Sequence, residues 1–253
     1  MSTSRSSSVH LWRAAAVHVY TASGSVLALL IVLAAIDGDV RTALWLGLAA
    51  LVIDGTDGTL ARRFGVKERL PWFDGARLDD IVDYLTYVFA PVVLLLQGGY
   101  LPDGRTGTVV AALPLLASSY QFCRTDAKTD DHFFLGFPSY WNVVAFYAVA
   151  MDLSPGVLAT VVVVCAALVA VPVGYLYPSR MTELRTLTLT LSLAWMVAYA
   201  LIVAGLPDPH PVLIGASLLY VAYYVVLSLH LDAKRRRTAR RRSALRPVEP
   251  VAV

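Results

Sequence analysis

The stretch ALWLGLAALVIDGTDGTLA, residues 43–61, places two aspartates at the end of a long apolar run. A helix needs about 20 mostly apolar residues to cross the hydrocarbon core of a bilayer. A charged aspartate inside such a helix costs free energy, and intramembrane acids therefore usually mark a functional site. This stretch predicts a membrane-spanning helix with chemistry at one end.

The composition of the whole chain is that of a membrane protein. Of its 253 residues, 57% are hydrophobic and 15% are charged, whereas soluble domains average about 45–50% apolar and about 25% charged residues. These values argue against a soluble enzyme, a disordered chain and a nucleic-acid-binding protein, although the net charge is +3. Two cysteines are too few for a disulfide framework.

Seven further apolar stretches bring the expected number of membrane-spanning helices to about eight. Their predicted bounds are 18–36, 43–61, 79–97, 107–123, 138–152, 156–177, 184–205 and 211–231. The fifth is short enough to be partly re-entrant. We expect residues 1–17 to form an N-terminal interfacial segment with a short helix, and residues 232–253 to form a basic cytoplasmic tail. The whole chain, 1–253, is predicted to be one all-α, polytopic helix bundle.

The distribution of positive charge predicts how the helices cross the membrane. If the N-terminus is cytoplasmic and eight spans alternate, 19 of the 21 Lys and Arg residues lie on cytoplasmic segments. Only Arg41 and Arg105 then face outward. Lys and Arg accumulate in cytoplasmic loops, so both termini are expected on the cytoplasmic side. The tail is expected to contact anionic lipid.

Four aspartates form two pairs at helical spacing on consecutive spans. Asp54 and Asp57 are three residues apart, and Asp79 and Asp83 are four apart, so each pair occupies one face of its helix. Neighbouring carboxylates repel one another unless a cation lies between them. A cluster with oxygen ligands and neither His nor Cys favours Mg²⁺ or Mn²⁺ over Zn²⁺. The alternative is an acidic rim neutralised by the flanking arginines.

Small residues continue both acidic faces. Gly58 and Ala61 follow the first pair at four-residue spacing, and Gly75 precedes the second pair at the same spacing. Residues without bulk let another helix or a phosphate group approach closely. Tyr87 extends the second row by one turn. This shared register favours a binding site over ordinary helix packing.

Residues 54–62 and 75–83 resemble the signature of the CDP-alcohol phosphotransferase family. The pattern is Asp-x2-Asp-Gly-x2-Ala-Arg, a spacer, and Gly-x3-Asp-x3-Asp, and all eight defined positions match. The spacer of residues 63–74 is longer than is usual in the family. That spacer and the stretch of residues 128–142 resemble the bacterial phosphatidylcholine synthase branch. The resemblance implies an enzyme of the bacterial inner membrane, and family members are often homodimers.

The resemblance also implies a reaction and a set of roles. The choline hydroxyl would attack the lipid-side phosphorus of CDP-diacylglycerol, and CMP would leave. Asp83 would be the general base, and Gly58, Ala61, Arg62 and Gly75 would line the CDP-lipid site. Two ions, Mn²⁺ or Mg²⁺, would be held by four ligands: Asp54, Asp57, Asp79 and Asp83.

Choline and the phosphates make further demands on side chains. A quaternary ammonium offers no hydrogen-bond donor, so aromatic faces are expected to recognise it. Lys128 and Arg180 lie on loops of the predicted cytoplasmic side and are candidates for pairing with the phosphates of the CDP-lipid. The candidate choline-binding residues are Tyr84, Tyr87, Tyr120, Tyr140 and Trp141.

Other functions stay open at the level of sequence. A sister enzyme would use glycerol phosphate, serine or inositol phosphate as acceptor, or would join CDP-choline to diacylglycerol. An anionic acceptor calls for additional basic residues beside the acids, whereas the aromatic residues near the motif favour choline. A non-catalytic cation transporter would carry its acids near the bilayer midplane, often within an internal repeat. Here the acids lie at one edge of the predicted bundle.

Overall fold

The computed structural model describes residues 3–129, 131, 133–178, 180–181 and 183–244, with side chains between residues 11 and 238. A π-helical segment, Tyr84–Phe89, joins α4 to α5 without a break, and strands β1 (Phe133–Leu135) and β2 (Gly174–Leu176) pair antiparallel. The helices are α1 (Thr3–Ile36), α2 (Val40–Arg63), α3 (Val66–Arg69), α4 (Gly75–Asp83), α5 (Ala90–Gln97), α6 (Gly104–Cys123), α7 (Trp141–Ala150), α8 (Pro155–Val169), α9 (Arg185–Gly205) and α10 (Pro211–Ala244).

The predicted helical membrane protein is confirmed, in its coarse form, by four segments. Leu11–Ile36, Val40–Arg63, Arg185–Gly205 and Pro211–Thr238 are long and apolar enough to cross a bilayer. Large apolar side chains on their outer faces are exposed, which suits contact with lipid rather than water. The count of eight spans stays a prediction.

The other four predicted spans coincide with helices of different lengths. The third corresponds to α4, the π-helical segment and α5 taken together, and the fourth corresponds to α6, with 20 residues. The fifth and sixth correspond to α7 and α8, with 10 and 15 residues. At 1.5 Å per residue, α7 is about 15 Å long, which is about half the thickness of the hydrocarbon core.

The structure differs in detail from the sequence predictions at three places. The separate N-terminal helix does not exist, because α1 runs unbroken from Thr3 to Ile36; residues 13–17 contain no Gly or Pro that would end it. Similarly, α10 continues past residue 231 into the basic tail, of which residues 245–253 lie outside the described part. The fold is also not purely α-helical, since the two three-residue strands are too short to show a period in the sequence.

Contacts of α1 with α2 and α4 assemble one end of the bundle. Near the start of α1, Ala14 and Val17 pack against Val66 of α3. Further along, Gly24 lies so close to α4 that a Cβ there would be 2.5 Å from Cγ1 of Val82. Only a glycine allows this approach. The close contact places α1 beside α4, and α2 also packs against α1, at the end of the bundle where the aspartates lie.

The short sheet links the connection between α6 and α7, which contains β1, to α10, which is hydrogen-bonded to β2. The Leu176 N–H donates to Ser228 Oγ at 3.1 Å, and the Tyr224 hydroxyl donates to the Leu176 carbonyl oxygen at 2.9 Å. On the other strand, Phe134 forms a bridge with Lys128. The loop that carries Lys128 is therefore held against the last helix.

The first residues of the basic tail strengthen this attachment. Asp232, only 5% exposed, pairs with Arg235 at 3.2 Å and with Arg236 at 2.7 Å. Arg235 also pairs with Asp131 at 3.1 Å and lies over the ring of Phe133, 5.0 Å from its centroid. This part of the tail has a structural role in addition to its predicted contact with lipid.

Candidate metal centre

The two aspartate pairs meet where α2 faces α4. Carboxylate oxygens of Asp54, Asp57 and Asp79 lie within 4.8 Å of one another. Asp83, one turn further along α4, lies beside Asp54. Asp57 is buried, at 6% exposure, and the other three are partly buried. The structure thus gathers three of the four predicted ligands into one cluster and places the fourth at its border.

The described residues leave this cluster without a direct ion pair. None of the four carboxylates forms an ion pair with a Lys or Arg there. Arg62 instead donates to Thr59 Oγ1 of its own helix at 3.0 Å. The alternative of an arginine-neutralised rim therefore lacks support in the part of the chain that the structure describes.

The donor set fits a hard divalent cation. Opposite oxygen ligands of Mg²⁺ lie about 4.2 Å apart, from bonds of about 2.1 Å. The three carboxylates have oxygens within 4.8 Å of one another, which is near enough to share one ion. An ion with oxygen ligands would also remove the repulsion among them. The cluster can therefore bind a metal ion, and its carboxylates match Mg²⁺ or Mn²⁺ better than Zn²⁺.

Neutral hydroxyl groups orient two of the carboxylates. Thr21 Oγ1 donates to Asp57 Oδ2 at 2.8 Å, and the Tyr87 hydroxyl donates to Asp54 Oδ2 at 2.5 Å. Sequence spacing put Tyr87 in the row of Asp83 but did not identify Thr21. A hydroxyl residue within the apolar first span is the only sequence signal for it, and such residues are common in membrane helices.

The π-helical segment begins immediately after Asp83 and contains Tyr87. Such wide turns are rare and occur frequently at functional sites. Here the wide turn lies between the last aspartate and α5, at the level where the Tyr87 side chain, 7% exposed, reaches across to Asp54. The irregular backbone is therefore part of the site.

Lys128 lies beside the acidic cluster without joining it. Its Nζ donates to Asp80 Oδ1 at 3.0 Å. Burial opposes the charge on Lys128, but the hydrogen bond to Asp80 and the charge of Asp79 outweigh burial and raise the pKa of the lysine. Lys128 is thus a stable cation next to the carboxylates. Arg180 is exposed and lies over the ring of Tyr177, 5.6 Å from its centroid.

A row of tyrosines leads away from Asp54. The ring centroids of Tyr87 and Tyr140 are 6.4 Å apart, and those of Tyr140 and Tyr224 are 6.0 Å apart. Sequence reasoning missed Tyr224 because it lies on the last helix, and only the packing of α10 brings it to this row.

The other three predicted aromatic residues make their contacts elsewhere. The Tyr84 hydroxyl donates to the Leu115 carbonyl oxygen on α6 at 3.1 Å. Tyr120 is exposed on α6, with Arg124 over its ring. Trp141 is buried, and its Nε1 donates to Ser118 Oγ at 2.8 Å.

The three predicted small residues differ in what covers them. A Cβ at Gly58 would lie 3.4 Å from Nη1 of Arg62, so the guanidinium group lies over this glycine. A Cβ at Gly75 would lie 2.8 Å from Cε1 of His18, so an imidazole ring occupies that space. Ala61 packs against the start of α1.

Comparison with known proteins finds relatives that share one name and match most of the chain. No family model matches it. The chain is 41% identical over 219 residues to a phosphatidylcholine synthase of Pseudomonas aeruginosa, covering 86% of this chain and 91% of that protein. It is 39% identical over 221 residues to that of Legionella pneumophila, covering 85% and 86%. It is 33% identical over 222 residues to that of Borreliella burgdorferi, covering 87% and 94%. These matches confirm the resemblance inferred from the motif.

We expect Mn²⁺ to raise the thermal unfolding midpoint of the purified protein in detergent, because the ion binds the folded cluster. At a concentration 100-fold above Kd the stabilisation is about 2.7 kcal/mol. Asp57→Asn should abolish the shift, while Asp80→Asn, whose side chain pairs with Lys128 outside the cluster, should keep it. A wild-type protein that shows no shift, or two variants that behave alike, would contradict the metal assignment.

Proposed function

Since the chain belongs to the phosphatidylcholine synthase family, we propose that it transfers the phosphatidyl group of CDP-diacylglycerol to choline and releases CMP. The observation that supports this site is the convergence of carboxylate oxygens from Asp54, Asp57 and Asp79, none of which forms an ion pair with a described Lys or Arg. Divalent ions bridge carboxylates and phosphates readily, so such a cluster suits a donor with a pyrophosphate group.

We assign two divalent ions, Mn²⁺ or Mg²⁺, to the four aspartates of the motif. When bound, the ions would neutralise the pyrophosphate and stabilise the charge that develops as CMP leaves. The chain itself supplies the oxygens and their orientation. Thr21 holds Asp57 and Tyr87 holds Asp54, so two ligands are positioned before substrate arrives, which lowers the cost of assembling the site.

Asp83 is assigned as the general base. A choline hydroxyl is a weak nucleophile at neutral pH and reacts faster when a nearby carboxylate takes its proton. Asp83 borders the three clustered carboxylates rather than lying among them. It would accept the hydroxyl proton as the choline oxygen bonds to the lipid-side phosphorus and the bond from that phosphorus to the CMP oxygen breaks.

The CDP-lipid would lie along the small residues and the cations. Gly58, Ala61, Arg62 and Gly75 are assigned to this site from the family motif. Lys128 keeps its charge beside the acids. Its ammonium group can donate to a phosphate oxygen of the CDP-lipid in place of Asp80. We also assign Arg180 to the CDP-lipid because a series of contacts links it to Lys128. Arg180 lies over the ring of Tyr177, and the ring centroid of Tyr177 lies 4.8 Å from that of Phe134. Phe134 in turn forms the backbone bridge with Lys128.

Choline is assigned to the row of tyrosines. Aromatic faces attract a quaternary ammonium. Tyr87 contacts Asp54, and Tyr140 lies next to Tyr87, so this end of the row is close to where the alcohol would react. Tyr224 completes the row on the side of α10. Of the five aromatic residues predicted from the sequence, Tyr87 and Tyr140 therefore have the best support.

We infer eight crossings of a bacterial inner membrane, with both termini cytoplasmic; the expected homodimer rests on the family resemblance alone. Helices occur at all eight predicted positions, and the charge distribution favours this orientation. In a chain with its native cysteines replaced, Arg41→Cys should react with an impermeant maleimide in intact spheroplasts, and Arg63→Cys should not. The reverse labelling would contradict the topology.

The acceptor is tested with purified protein, Mn²⁺, CDP-diacylglycerol and a panel of labelled alcohols. We expect phosphatidylcholine from choline and little product from serine, glycerol 3-phosphate or inositol phosphate, because the tyrosine row offers aromatic faces, which suit a quaternary ammonium. CDP-choline with diacylglycerol should give no product. A different preferred acceptor would identify a sister enzyme, and no product from any alcohol would contradict catalysis.

Tyr140→Ala should raise the KM for choline about tenfold, since a desolvated cation–π contact contributes about 1–2 kcal/mol, and should leave the KM for CDP-diacylglycerol nearly unchanged. The matched control is Tyr120→Ala, an exposed tyrosine on α6, which should behave like the wild type. Equal changes in both KM values for Tyr140→Ala would indicate a packing role.

Asp83→Asn should lower kcat by about 10²–10⁴, the usual contribution of a general base. The variant should retain most of the Mn²⁺-induced rise in unfolding midpoint, because Asp54, Asp57 and Asp79 remain. A variant with near-normal kcat would remove Asp83 from the proton transfer.

A further inference from the structure

His18 on α1 carries a buried nitrogen atom with no partner. Its Nε2 is shielded from solvent and forms no hydrogen bond with any described residue. Leaving such a group unsatisfied costs about 1–3 kcal/mol, and buried polar atoms in native proteins nearly always have a partner. The atom is therefore a place where a ligand of suitable chemistry would gain binding energy.

The imidazole lies at the edge of the acidic cluster. His18 is one turn before Thr21, whose hydroxyl holds Asp57. Its ring covers Gly75, where a Cβ would lie 2.8 Å from Cε1. The ring of Phe73 packs on it with a centroid separation of 4.3 Å. His18 is thus held between Phe73 of the α3–α4 connection and Gly75 at the start of α4, about one helical turn from residues of the acidic site.

Packing alone does not explain a histidine at this position. A phenylalanine would fill the space between Phe73 and Gly75 without burying a polar atom. The imidazole differs from it by its polar Nε2, for which the described residues provide no partner. With the proton on Nε2, this atom is a donor that requires an acceptor. Choline is cationic, and the hydrocarbon tails of the lipid carry no acceptor, so the lipid half offers only its ester oxygens. The nucleotide half of the donor offers phosphate, ribose and cytosine acceptors.

We propose that His18, with its proton on Nε2, donates a hydrogen bond to the nucleotide half of CDP-diacylglycerol. This inference rests on the proposed function and extends it, because it assigns a nucleotide contact to the first helix, outside the aspartate motif. Gly75 then has a second role, since its missing side chain makes room for the ring that makes this contact.

The test compares His18→Phe, His18→Gln and His230→Gln in the full-length protein with Mn²⁺. His18→Phe keeps the packing and removes the donor, His18→Gln retains an N–H donor near Nε2, and His230 is exposed on α10. We expect His18→Phe to raise the KM for CDP-diacylglycerol about tenfold, the loss of one hydrogen bond, with an unchanged KM for choline. His18→Gln should recover most of the loss, and His230→Gln should match the wild type.

A binding measurement keeps this test independent of turnover. CMP should raise the unfolding midpoint of the wild type and raise that of His18→Phe much less. If cytidine shows the same difference, the acceptor lies on the base or ribose; if only CMP shows it, the acceptor is the phosphate. Should His18→Phe fail to fold, His18→Leu is measured in its place.

Two results would overturn the inference. In the first, His18→Phe changes the KM for CDP-diacylglycerol and the KM for choline equally, or changes neither. In the second, CMP raises the unfolding midpoint of His18→Phe as much as that of the wild type. A wild-type protein that binds CMP through His18 but makes no phosphatidylcholine would contradict the proposed function alone. Wild-type activity with no effect of His18→Phe would contradict this inference alone.

Discussion

Mutual repulsion among four carboxylates is the constraint on which the site depends. Asp54, Asp57, Asp79 and Asp83 come from two helices in an apolar bundle, and the described residues offer them hydroxyl groups but no ion pair. In a medium of low polarity such a cluster is costly unless a cation joins it. The fold accepts this cost and orients the acids with neutral hydroxyl groups. Lys128 lies beside the acids but pairs with Asp80, so most of the charge balance is left to bound ions.

The sequence was sufficient to predict what local periodicity determines. Three- and four-residue spacings placed each aspartate pair on one face and put Tyr87 in the same row, and the apolar runs located the helices. Periodicity carries no information about which distant helices touch. Thr21, His18 and Tyr224 reach the site only because α1 and α10 pack there, so no local pattern could have identified them.

The same limit explains where the structure differs in detail from the predicted fold. A helix ends where its sequence or its packing ends it. Residues 13–17 of α1 contain no helix breaker, and Ala14 and Val17 are buried against Val66, so the helix continues through them. The sheet depends on hydrogen bonds from α10 to Leu176, far away in sequence. Lys128 was predicted as a phosphate ligand, but its hydrogen bond to Asp80 depends on that sheet and could not be predicted.

Because α7 has only ten residues, it is about 15 Å long and cannot cross the hydrocarbon core by itself. At its start, Tyr140 packs against Tyr175 and Leu176 of β2 and against Tyr224 of α10. Extended backbone therefore continues the bundle where the short helix stops. Within a membrane such backbone is tolerated only where protein covers it, and all three residues of β2 are buried.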